Sequence, residues 1–152
     1  MPRRRRLDLR SLDDVIAEVR RLRADGYVAH GKWNLSQMAD HLCGTMRVGM
    51  DGGEPRLAWP LRKVTGSVLW LARRSRWMPS GLGTLPQLTP PALEADDPAK
   101  IDRLEATLAE ARDFAGPLPP YPLADGLSVE QWRELMVVHA QHHLRFLEPA
   151  GS

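Results

Sequence analysis

His139 and His143 stand four residues apart in the run His139-Ala140-Gln141-His142-His143, inside a segment whose apolar residues recur at helical spacing. On an α-helix such a pair lies one turn apart on one face, so both imidazoles can reach a single metal ion. Trp132, Leu135, Met136 and Phe146 form the apolar stripe of that segment. At about 100° per residue, His139 and His143 fall within roughly 20° of its centre, whereas His142 lies about 80° away near its edge. A histidine on a core-facing stripe needs a partner for its polar ring. Metal ligation meets that need, and so do hydrogen bonds between core histidines. A third ligand would separate the two readings.

The candidate third ligand is His41, about 60° from Met38 on the flank of a second apolar stripe. Helical bundles build metal sites from facing side chains on different helices, and three imidazoles with one open position match a catalytic site better than a closed structural one. Cys43 lies about 200° around the helix from His41 and reads as a small buried residue, not a ligand. His30 precedes this helix in a loop and reads as a surface residue. Asp40 and Glu134 are candidate acceptors for the outward-facing N–H groups of metal-bound imidazoles.

Positioning these side chains falls to helices, the elements with strong signals. Ser11 with Asp14 forms a capping box, and Leu12, Val15, Ile16, Val19 and Leu22 recur until Gly26, predicting a helix over 12–25. Asn34 with Gln37 opens a second over 35–50, whose face carries Leu35, Met38, Leu42, Met46 and Gly49. Asp97-Pro98 opens a helix over 97–115 with Ile101, Leu104, Leu108 and Ala111 inside, and Ser128 with Gln131 caps the histidine helix over 129–147. Between the second and third of these, Pro60 starts an additional helix over 61–75 with the stripe Leu61, Val64, Val68, Leu71 and Ala72. Its flanking arginines admit a membrane-surface helix, but the expectation is a connecting helix laid on the bundle. Residues 78–93, rich in Pro, Gly and Leu, read as an extended loop, with Trp59, Trp70 and Trp77 walling a pocket or anchoring the insertion. No segment shows convincing period-2 alternation, so the fold class is all-α, a four-helix bundle with an extra helix inserted between bundle helices 2 and 3.

At 152 residues, 43% hydrophobic and 26% charged, the chain has the composition of a soluble globular domain, placed at 11–149. A formal net charge of +2 owes much to Arg3–Arg6 and Arg10, so residues 1–10 read as a basic, disordered tail and not as a nucleic-acid contact. The start shows no apolar stretch after its arginines, no run approaches a membrane span, and Cys43 is the single cysteine. Together these predict a cytoplasmic protein with no nucleic-acid or membrane partner.

The strings Gly31-Lys32-Trp33-Asn34-Leu35-Ser36-Gln37-Met38-Ala39-Asp40-His41-Leu42 and Leu127-Ser128-Val129-Glu130-Gln131-Trp132, the latter running into His139-Ala140-Gln141-His142-His143-Leu144, resemble the DinB/YfiT-like superfamily over most of Leu7–Pro149. Within it, the similarity is greatest to a bacterial subgroup of unknown function. The resemblance implies a bundle in which His41, His139 and His143 hold a divalent ion, zinc or nickel. It further implies a thiol-dependent S-transferase or isomerase using a low-molecular-weight thiol such as bacillithiol or mycothiol on a small electrophile. A noncatalytic metal or small-ligand binding bundle, a metal-free bundle with structural histidines, and a homodimeric assembly remain compatible with the same residues. One departure bears on substrate preference: Tyr121-Pro122 stands where the subgroup often carries His-Pro.

Overall fold

The computed structural model describes residues 3–53, 56–80 and 86–151. Along these run α1 (Leu12–Asp25), β1 (Tyr27–Ala29), α2 (Leu35–Asp51), α3 (Trp59–Ser75), a 3-10 turn at Pro86–Leu88, α4 (Pro98–Asp113), α5 (Val129–Leu144) and β2 (Leu147–Pro149). The chain is thus mostly helical, and the caps read from the sequence set where its helices begin. Ser11, Asn34 and Ser128 each accept from the backbone N–H three residues on, while Asp14, Gln37 and Gln131 return the bond. Asp97 accepts from the Ala99 N–H at 3.0 Å, with Pro98 in the first helical position.

Packing follows the apolar faces. α2 lies on α4, α4 on α1, α1 on α5 and α5 on α2. Val15, Val19, Leu35, Met38, Ile101, Leu104, Leu108, Trp132 and Leu135 meet in the core, nearly sealed from water. Each such side chain contributes roughly 1.5–3 kcal/mol of burial free energy, which is how short helices persist. α5 is buried on more sides than its stripe implies, because Val137, Val138 and Ala140 are also covered. α2 approaches α5 closely at Gly49, where a Cβ would stand 2.1 Å from the Trp132 Nε1. No larger residue fits there without movement of the indole.

Three features depart from the sequence reading. α5 ends at Leu144 because Leu147–Pro149 turns into a strand antiparallel to β1, in the register Tyr27↔Pro149, Val28↔Glu148 and Ala29↔Leu147. Strands of three residues are too short to display alternation. The stripe on α3 is likewise not laid on the other helices, since Leu61, Val64 and Leu71 are each more than half exposed and only Ala72 is buried. The adjoining face makes the contacts: Thr65 donates to the Leu123 carbonyl, Arg62 pairs with Asp125, Arg73 pairs with Glu134, and small Gly66 meets Ala124. Polar anchors and small residues therefore decide which way α3 turns, and Trp59, Trp70 and Trp77 stay more than half exposed.

The basic segment is the third departure. Residues 3–10 form no helix or strand but lie against the helices, with Leu9 in the core and the Leu9 N–H donating to the Gln141 Oε1 at 2.7 Å. Arg5 pairs with the buried Glu18 carboxylate, and its N–H donates to the Arg145 carbonyl at 3.0 Å. Residues 81–85 of the expected loop lie outside the described residues; Met78, Pro79 and Leu88 on either side border the cavity described below. No described helix is long and apolar enough to cross a membrane.

Candidate metal centre

α2 and α5 bring His41, His139 and His143 to one point. The Nε2 atoms of His41 and His139 are 3.0 Å apart and those of His143 and His139 are 3.1 Å apart. One ligand atom from each ring lies within 4.8 Å of the others, so the group could hold a metal ion. The rings stand edge to face, with centroids 4.7 to 4.9 Å apart. His142 takes another direction: its Nδ1 is 3.1 Å from the Met78 carbonyl oxygen and 2.9 Å from the Arg145 guanidinium. His30 is also apart, half-buried and 2.7 Å from a Glu148 carboxylate oxygen beside the two strands.

The partners that orient the rings are not the carboxylates read from the sequence. Asp40 is taken by Lys100, and Glu134 by Arg73 at 2.9 Å. The His41 Nδ1 instead lies 3.0 Å from the Leu88 carbonyl oxygen. That carbonyl belongs to a segment stitched along α2, where the Gln37 side chain donates to the Pro91 carbonyl at 3.1 Å and Asn34 donates to the Leu93 carbonyl at 3.0 Å. Residues so far along the chain carry no local sequence signal linking them to His41. Trp33 was also missed as a site residue: its ring stacks on His143 at 5.4 Å and tilts against His41 at 5.1 Å. Its position one residue before the Asn34 cap was the available clue.

Burial dominates the electrostatics. It pushes the His139 imidazole down to about 3, with the neighbouring His41 adding to the effect, and holds His143 well below the ordinary histidine range. His41 is lowered for the same reason, against an opposing pull from the Leu88 carbonyl. The rings are therefore neutral near pH 7 and present lone pairs, the form in which imidazole ligates metals. The His139 Nδ1 is enclosed without a hydrogen-bond partner among the described residues. Cys43 is buried against Thr107, its thiol pushed up by burial, and takes no part in the cluster.

Beside the histidines opens a cavity of about 330 Å³ walled largely by apolar side chains, among them Val68 and Leu69 of α3, Met78, Leu88, Leu135 and Met136. His41, His139, His142 and His143 form one side of it, and Tyr121 lies in its wall. No Asp, Glu, Lys or Arg is among the described lining residues. A second depression between α3 and residues 124–131 contains no histidine, and two of its cations, Arg62 and Arg73, are already paired.

The chain is mostly helical, with three converging imidazoles that could hold a metal ion beside an apolar cavity. The model of a family of proteins of unknown function, DUF1569, matches residues 1–150, and the chain belongs to that family. Neither the curated proteins nor the solved structures contain a match to the chain.

Proposed function

We propose that His41, His139 and His143 bind one divalent metal ion, zinc or nickel, whose remaining coordination positions face a small molecule in the apolar cavity. The observation that carries this reading is the convergence of three Nε2 atoms at 3.0 and 3.1 Å. Tetrahedral ligation at about 2.05 Å sets neighbouring nitrogens about 3.3 Å apart, close to the two spacings that meet at His139, and the third pair lies within 4.8 Å. Hydrogen bonds alone serve the cluster poorly. With its Nδ1–H donating to Leu88, His41 keeps only a lone pair at Nε2. His139 Nε2 then has two close nitrogen neighbours and at most one proton to share with them. A cation among the three satisfies every lone pair at once.

The same reading takes α1, α2, α4 and α5 as a four-helix bundle of the DinB/YfiT-like type and α3 as a helix inserted between its second and third members. Mutual contacts that run α2 to α4 to α1 to α5 and back to α2 support it, as does the resemblance of the two motif strings. Bound there, the ion would hold a low-molecular-weight thiol as its thiolate at neutral pH, the form that attacks electrophiles. The residues of the chain bind and orient the ion, and the apolar walls exclude water from the reacting pair. The reaction class is thus a thiol-dependent transfer or isomerisation on a small electrophile.

Metal analysis of protein purified without a histidine tag tests the first half. About one equivalent of divalent metal is expected, and a metal-free product that takes up none on addition of zinc or nickel would refute the reading. The second half is tested on cobalt-substituted protein. Added thiols should change its visible absorption, and the loaded protein should accelerate thiol addition to an electrophile relative to the metal-free form. Binding without acceleration across a panel including bacillithiol and mycothiol would make the protein a noncatalytic carrier.

A further inference from the structure

Tyr121 lies in the connection between α4 and α5, is 6% exposed, and borders the same cavity as the three histidines. Buried tyrosine hydroxyls normally find a hydrogen-bond partner. Tyr27 illustrates the rule, its oxygen accepting from the Leu35 N–H at 2.8 Å and its hydroxyl donating to Asp96 at 2.7 Å. The Tyr121 hydroxyl has no partner among the described residues and is not one of the enclosed unpaired atoms, so it meets open space instead of a protein acceptor, and burial of the side chain raises its pKa. The other hydroxyl in the cavity wall is in use, since Thr45 donates to the His41 carbonyl at 2.9 Å.

We infer that Tyr121 is the polar contact for the molecule this cavity takes, its hydroxyl donating a hydrogen bond to a carbonyl oxygen on a neutral, mainly apolar ligand whose other end reaches the metal. The inference rests on the metal reading above and deepens it by naming the ligand class. The absence of charged groups from the described lining residues disfavours an ionised group on the ligand away from its metal-bound end, because a charge placed there would lose its hydration without gaining a counter-ion. The apolar walls suit an alkyl or aryl body. Burial pushes the Tyr121 phenol up to about 12, so it stays protonated at neutral pH and acts as a donor rather than a base. A carbonyl oxygen is the complementary acceptor, and without it the buried hydroxyl would stay unpaired in the complex, the arrangement that gives polar contacts their discriminating power.

The probes that test this are straight-chain alkanethiols of graded length, each paired with a counterpart carrying a ketone near its far end. Each is titrated into the cobalt-loaded wild-type protein and into Tyr121→Phe, with the cobalt absorption as readout. At one chain length the keto thiol is expected to bind about tenfold more tightly than its alkane partner, the increment of one hydrogen bond. In Tyr121→Phe that preference should vanish while metal content and alkanethiol affinity stay unchanged. Equal affinities of keto and alkane thiols at every length, or a preference that survives Tyr121→Phe, would overturn the inference and leave the metal reading standing. Failure to bind cobalt, or a spectrum that no thiol alters, would overturn both. Because the paired ligands discriminate on the wild-type protein alone, the inference stays falsifiable even if the variant folds poorly.

Discussion

At the residue scale the four histidines of the cavity divide by direction. His41, His139 and His143 share a centre, while His142 turns to Met78 and Arg145. Replacing any one of the three by alanine should remove most of the bound metal, as read by elemental analysis. His142→Ala should leave the metal largely in place, and equal loss from His142→Ala and none from His139→Ala would reverse the assignment. Proton uptake supplies a second expectation. Burial holds His139 near 3 and His142 near 4, whereas an unfolded chain protonates its histidines near 6.5. Between those values the unfolded state binds more protons than the native one, so the metal-free protein loses stability as pH falls below about 6.5. The loss is complete only below the native values, and its slope reaches up to about 1.4 kcal/mol per pH unit for each such histidine. Thermal unfolding in chelator between about pH 7 and pH 4.5 checks the sign, and His139→Gln should flatten the slope by one histidine's share.

The elements place those residues through close packing and reciprocal caps. α2 and α5 can carry His41 to His139 because Gly49 lets the helices approach over Trp132. Gly49→Ala places a methyl where the indole already stands, and a denaturant midpoint should report a loss of about 1–3 kcal/mol. Because Gly49 lies two turns beyond His41, metal affinity should fall far less than in the histidine variants. Ser128→Ala removes a cap from the helix that bears two of the three histidines, with an expected cost of about 1 kcal/mol. α3 shows how far an element can depart from its hydrophobic pattern. Leu61, Val64 and Leu71 of its aliphatic row face outward, while Thr65, Arg62 and Arg73 tie the neighbouring face to residues 123–125 and to α5.

For the molecule as a whole, the segment before α1 is part of the fold. Arg5 neutralises Glu18, a carboxylate nearly sealed from water, and Leu9 joins the core. Arg5→Ala leaves that carboxylate without its nearest cation, at a cost of about 3 kcal/mol by thermal or chemical unfolding, the low end of the range for a broken buried pair because Arg21 remains 4.0 Å away. Salt should not restore the loss, because the charge is buried instead of screened. If the metal reading holds, zinc in excess should raise the unfolding temperature of the wild type by mass action, and of the Arg5→Ala variant by a similar amount.

The helices were legible in the sequence because caps and apolar periodicity are local properties, written within a few residues of where they act. The pairing of His139 with His143 was legible for the same reason, since four residues on a helix is a fixed geometry. His41 was reached from its place on the flank of a stripe, and its meeting with α5 awaited the packing of two helices. Other features had no local signature at all. The Leu88 carbonyl on His41, the ring of Trp33 on His143, the outward turn of α3 and the lone hydroxyl of Tyr121 depend on where distant segments cross. Sequence spacing determines which side chains share a face, but burial, hydrogen-bond partners and cavity walls are shared between elements and exist only once those elements pack together.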